Sequence, residues 1–208
     1  MNEHSFTFVP EMRARDENKE IMIREKAMEM IVREGFDGLS MQKLAKAAGV
    51  SPATIYIYYK NREDLLHQLF NDAQIAFANT ALKNFNPHAS LEEGLWTQWK
   101  NRLEFIEENP FYYQFYEQFR NTHLINHKNV NISVFRENMM IFVKNAIKRG
   151  EVAKMEPEIF WSIAYGSFYS LVKFHLQEKK LMTETFKLTD AKLKQTLKMV
   201  VKALKPIN

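Results

Sequence analysis

The chain has 208 residues, with 29 Lys and Arg against 25 Asp and Glu, and 46% of it is hydrophobic. That length accommodates one sizeable core or a small unit beside a larger one, and the absence of cysteine excludes disulfide frameworks and thiolate metal sites, a usage that fits a reducing cytoplasm. No window approaches the roughly 20 apolar residues of a membrane span, and the N-terminus has no charged start followed by an apolar run, so a soluble cytoplasmic protein with no membrane partner is expected.

The first helix is preceded by residues 1–16, where Phe6, Phe8, Val9 and Pro10 mix with polar groups without a period, and a flexible arm is expected. Arg13 and Arg15 read best as solvated charge. From Glu17 to Glu34 an amphipathic helix is predicted, with Ile23, Ala27, Met30 and Ile31 inward. The net charge of +4 offers no argument about this region, because residues 1–72 hold ten basic against twelve acidic side chains and the basic excess lies from Lys83 onward.

The stretch Ser40 to Arg62, SMQKLAKAAGVSPATIYIYYKNR, organises the chain. Ser40 is a good N-cap, its hydroxyl able to accept from a first-turn N–H, and Met41, Leu44, Ala45 and Ala48 follow at helical spacing. Gly49 stops that helix, since the residue past a helix end often needs positive φ. Ser51-Pro52 then restarts the chain as an N-cap followed by proline at the first helical position. The second helix runs from Ala53 to about Tyr59, with Ile55 and Tyr59 inward and Thr54, Tyr56, Ile57 and Tyr58 mainly outward. Two short helices over a glycine-containing turn make a helix-turn-helix, whose second helix enters the DNA major groove. A plain helical hairpin is the blander reading, but the stretch carries Lys43, Lys46, Lys60 and Arg62 and no Asp or Glu, a face suited to phosphate.

The segment AGVSPATIYIYYKNREDLL resembles the recognition segment of the tetracycline-repressor (TetR) family of bacterial transcriptional regulators, and Ile23, Ala27, Met30 and Ile31 followed by Gly35-Phe36 stand where that family has its first helix. The likeness covers the first third of the chain. It implies DNA contacts position by position: Gln42, Pro52, Ala53 and Ile57 toward base edges, and Thr54, Tyr56, Tyr58, Lys60, Arg62 and Lys46 on phosphates, with the segment beginning at Ser51 as the reading element. Ile57 departs from the polar or aromatic residue common in the family.

Asn61 caps a long linking helix that reaches about Leu82, and a loop around Pro87 follows. The rest reads as helices over Leu91 to Glu108, Phe111 to Phe119, Val130 to Arg149, Pro157 to about Lys179, and Thr189 or earlier to Leu204. The expected fold is therefore all-α with about nine helices: a helix-turn-helix head over 17–62, a linking helix over 61–82, and a helical body over 83–208.

Catalytic motifs are missing: there is no phosphate-cradling glycine loop, nucleophile elbow or His-Glu-x-x-His. His123 and His127 are four apart but lie in a loop-like segment without a carboxylate, and they read as a surface pair, not metal ligands. No cofactor and no enzyme activity are expected. The body is aromatic beyond the needs of a helical core, and the family places its inducer site among these helices. The expected lining of a pocket for a small, largely apolar effector is Trp99, Leu103, Phe115, Phe119, Trp161, Tyr165 and Tyr169. The last two helices leave an apolar seam for a homodimer, expected at Phe168, Leu171, Leu193, Leu197, Val200 and Val201. The functional expectation is a ligand-responsive repressor that binds a palindromic DNA operator. An activator or a ligand-independent regulator is the alternative within that class, and a helical ligand-binding or adaptor protein without DNA binding is the alternative outside it.

Overall fold

The structure, a computed structural model, describes residues 16–120, 132–177 and 186–206. The described residues contain nine α-helices and no strand: α1 Glu17–Glu34, α2 Met41–Ala47, α3 Pro52–Tyr58, α4 Arg62–Leu82, α5 Leu91–Glu108, α6 Pro110–Arg120, α7 Ser133–Lys148, α8 Pro157–Gln177 and α9 Asp190–Leu204. The expected arm, Asp16 apart, falls outside the described residues, as do His123 and His127. Two compact units divide after Leu69, within the run of α4.

In the first unit, α1 packs on α2 and α2 on α3. Ile23, Ala27 and Ile31 form one buried face of α1, meeting a core that includes Leu44, Ala45, Ile55, Leu65 and Leu66. The turn between α2 and α3 closes with Val50 N–H on the Ala45 carbonyl (3.0 Å) and Gly49 N–H on the Lys46 carbonyl (3.3 Å), a Schellman arrangement. It requires a left-handed residue after the helix end, which Gly49 supplies at φ 65°. Ser51 Oγ then accepts from Thr54 N–H at 3.1 Å and starts α3.

In the second unit, α5 is central and packs on α6, α7, α8 and α9, while α9 lies on both α8 and α5. Leu91, Leu95, Trp99, Leu103 and Ile106 bury the apolar stripe of α5. Trp99 donates its indole N–H to the Ala164 carbonyl of α8 at 3.1 Å. Gly94 permits the close approach of α7, because a Cβ there would stand 2.3 Å from the Phe142 ring. At the far end of α9 the Leu204 carbonyl accepts from Ala153 N–H at 2.8 Å, which satisfies one orphaned helix-end acceptor.

The seam expected to pair two copies is turned inward. Phe168, Leu193, Leu197 and Val200 are buried in the body's own core, with Leu171 and Val201 half-buried against it. The outward faces of the same helices are different: Ile159, Ser162, Gly166 and Ser170 on α8, Met199 and Ala203 on α9. The apolar stripe of each helix is satisfied within one chain, and periodicity alone does not distinguish an intramolecular stripe from an intermolecular one.

Candidate nucleic-acid interface and body cavities

The face of α2 and α3 turned to solvent carries Gln42 and Lys46 from α2, Pro52, Ala53, Tyr56 and Ile57 from α3, with Ser51 before that helix and Lys60 after it. Tyr56 is 54% exposed and Ile57 44% exposed, large apolar surface in the middle of a basic, polar rim. Lys46 and Lys60 form no ion pair among the described residues, whereas Lys43 lies 3.6 Å from Glu34. Thr54 is half-buried, and its hydroxyl is engaged with Ser51 Oγ at 2.9 Å.

Two residues expected on this face are used elsewhere. Tyr58 is buried: its hydroxyl accepts from Asp16 N–H at 2.9 Å and donates to the Asp16 carbonyl at 3.1 Å, tying the end of α3 to the N-cap of α1. Tyr58 lies three residues after the buried Ile55 and so shares its side of the helix. Tyr59 leaves the helix with extended backbone (φ −130°, ψ 126°) and buries its ring as well. Tyr58→Phe is therefore expected to destabilise the chain by about 1–2 kcal/mol, measured by denaturant unfolding. Arg62 is likewise structural, its guanidinium donating to the Leu39 carbonyl at 3.0 Å and to the Phe36 carbonyl. It pins the start of α4 to the turn ahead of α2.

The link from α3 into α4 is held by a reciprocal cap. Asn61 Oδ1 accepts from Asp64 N–H at 2.8 Å, and Asp64 Oδ2 accepts from Lys60 N–H at 2.8 Å and from the Gln68 amide at 3.1 Å. Partial desolvation pushes the Asp64 carboxyl up, but these hydrogen bonds together outweigh it and hold the group below its ordinary value of 3.8. A depressed carboxyl contributes stability above its unfolded pKa, and that contribution fades as pH falls below 3.8 through the folded value.

Two cavities of the body share Ile132, Phe135 and Trp161 in their walls. The larger, about 660 Å³, lies between α7 and the start of α8 and is mainly apolar, through side chains such as Met139, Val143, Ile147 and Phe160, with Arg136, Lys144 and Lys148 also in its lining. The smaller, about 340 Å³, includes Gln74, Phe77, Tyr116, Tyr169 and Arg102. Of the expected pocket residues, Trp161 lines both and Tyr169 the smaller. Trp99, Leu103, Phe115, Phe119 and Tyr165 line neither and are buried in helix packing, as where Phe119 stacks on Phe70 at 4.6 Å.

Between α5 and α8 runs a polar ladder that the sequence reading missed. Tyr165 donates to Gln98 Oε1 at 2.6 Å, Gln98 Nε2 donates to Met139 Sδ at 3.0 Å, and Arg102 Nη1 donates to Tyr169 Oη at 2.8 Å. Gln98 and Arg102 are the buried polar residues of the described chain. Their signal was available, because positions 91, 95, 98 and 102 follow the helical period of the α5 core face.

A family model described as bacterial regulatory proteins, tetR family, matches residues 23–69. An HTH-type transcriptional regulator of Haemophilus influenzae is 32% identical over 142 residues, 68% of this chain and 75% of that protein. The chain belongs to the tetR family. The family match encloses the whole exposed α2–α3 face, and this tetR-family chain is a DNA-binding transcriptional regulator. The fatty acid metabolism regulator protein of Bacillus subtilis is 35% identical over 77 residues, 37% of this chain and 40% of that protein. The crystal structure of a TetR family transcription regulator from Marinobacter aquaeolei VT8 superposes with a TM-score of 0.80 at 27% identity, covering 94% of this chain and 100% of that one. No described helix of the tetR-family chain is long and apolar enough to cross a membrane.

Proposed function

We propose that this tetR-family regulator is a cytoplasmic repressor whose homodimer holds a palindromic operator and releases it when a small, largely apolar ligand enters the body. The observation that carries the DNA reading is the acid-free exposed face of α2 and α3, with Tyr56 and Ile57 at its centre and Lys46 and Lys60 unpaired by any described carboxylate. Gln42 reaches base edges as a bidentate partner for adenine, and Pro52, Ala53 and Ile57 suit thymine methyls. Ser51, Tyr56, Lys46 and Lys60 fix register on phosphates, with Thr54 serving chiefly as part of the cap. In this division the head spans residues 17–62, α4 links it onward, and residues 83–208 serve ligand binding and dimerisation without catalysis.

A seven-residue reading helix buries too little surface for typical specific affinity, which favours two half-sites related by a two-fold axis. The face proposed for the partner copy is the outward one, Ile159, Ser162, Gly166 and Ser170 of α8 with Met199 and Ala203 of α9. Its support is that Ile159 is 47% and Met199 67% exposed within one chain. Release would be transmitted by α4, an unbroken helix from Arg62 to Leu82, provided the ligand binds two spacings of the reading heads with different affinity.

The test is selection of bound sequences from random DNA, followed by titration of variants on the selected site. Lys60→Ala is expected to weaken binding to all sequences and to lower the salt slope by about one unit, while Gln42→Ala mainly relaxes sequence preference. Equal loss of specificity from both would defeat this assignment of roles.

A further inference from the structure

We propose that the smaller body cavity is a carboxylate site, in which Arg102 holds the head group of an apolar monocarboxylate whose chain passes Phe135 and Trp161 into the larger cavity. The inference rests on the ligand-responsive reading and names the chemistry of its ligand. Arg102 is 4% exposed, yet no Asp or Glu lies within ion-pair distance of it among the described residues. Its hydrogen bond to Tyr169 uses Nη1, and Nε is buried without a partner. A buried guanidinium is normally paired, because removing its charge from water is costly.

The rings around it compensate only in part: the guanidinium carbon lies 5.1 Å from the Tyr165 ring centre and 5.7 Å from those of Phe135 and Trp161. Tyr165 does not act as the missing anion, since burial pushes its phenol well above the ordinary value and its proton is committed to Gln98. A charge with no described carboxylate partner on the wall of a cavity suits an anionic ligand.

The shape of the site narrows that anion. A planar guanidinium edge matches a planar carboxylate, and one positive charge balances one negative, whereas a phosphate dianion would leave charge uncompensated. Among the described residues neither cavity has an Asp or Glu in its lining, and the two cavities share the aromatic and aliphatic side chains Ile132, Phe135 and Trp161, which accommodate a hydrocarbon. Arg136, Lys144 and Lys148 give the larger cavity the same electrostatic sign.

Calorimetric titration of the full chain with decanoate, decanol and decyltrimethylammonium tests this. Decanoate is expected to bind at least about 10-fold tighter than decanol, and the cation least well. Arg102→Met should lower decanoate affinity about 10- to 100-fold and leave decanol unchanged, with partial recovery in Arg102→Lys. Equal binding of all three probes to the unaltered protein, no binding of decanoate, or undiminished decanoate binding by Arg102→Met would overturn the proposal. The comparison on the unaltered protein decides even if Arg102→Met fails to fold. Operator occupancy followed in parallel separates the two readings. Decanoate bound through Arg102 with the operator still held keeps the carboxylate site and removes the ligand-released repressor, while release by decanol without a decanoate preference does the reverse.

Discussion

Leu197→Glu is expected to unfold the body and not to yield a folded monomer. Leu197 is 2% exposed and lies in the core that α9 shares with α8 and α5. A carboxylate there has no cation among the buried residues of that core, and an unpaired buried charge costs on the order of 4 kcal/mol or more. That is a large share of the about 5–15 kcal/mol by which domains are stable. Met199→Glu, two residues away on the opposite side of α9 and 67% exposed, should change stability by no more than about 0.5 kcal/mol. If the outward face joins two copies, that same variant sediments as a monomer at micromolar concentration where the unaltered protein is a dimer. A folded, monomeric Leu197→Glu protein together with a dimeric Met199→Glu protein would reverse the assignment of faces.

The second large effect is expected at the centre of the DNA face. Ile57→Glu places a carboxylate where phosphates and base edges approach, and unfavourable charge juxtaposition at an interface costs several kcal/mol, a loss of about 100-fold or more in operator affinity. Because Ile57 is 44% exposed and α3 buries Ile55 and Tyr58 instead, the thermal midpoint should stay within a few degrees. Gel-shift titration beside a melting curve checks both halves. Loss of affinity accompanied by a collapsed melting temperature would place Ile57 in the head's structure and not on its binding surface.

Much of the head was legible because its signals are local. Ser40, Gly49 and Ser51-Pro52 mark starts and stops through hydrogen bonds within five residues, and α2 and α3 begin and end where those residues dictate. The intramolecular partners of Tyr58 and Arg62, Asp16 and the Leu39 and Phe36 carbonyls, were not legible because they are 23 to 42 residues distant. In the body, periodicity located each buried stripe but not what covers it, so Leu193 and Leu197 were sent to a partner copy although their own chain receives them. Five of the seven side chains expected at the pocket lie in helix packing outside these two cavities for a related reason. Trp99 and Phe115 are as aromatic as Phe135 and Trp161, and only the packing decides which ring faces a void. Arg102 was overlooked because a cation on an apolar stripe looks like an exception to a helix pattern until the opposing helix is in view.

The pairing of Tyr58 with Asp16 also bears on how the head comes apart. Asp16 serves two masters: its carboxylate caps the first turn of α1, while its own amide and carbonyl are bound by a side chain from the last turn of α3. Fraying at the start of α1, ordinarily the least protected part of a helix, therefore breaks two hydrogen bonds to the reading helix and is opposed by it. Amide hydrogens at the front of α1 and the back of α3 are therefore expected to exchange together, so that a disturbance of the reading helix reaches the start of α1.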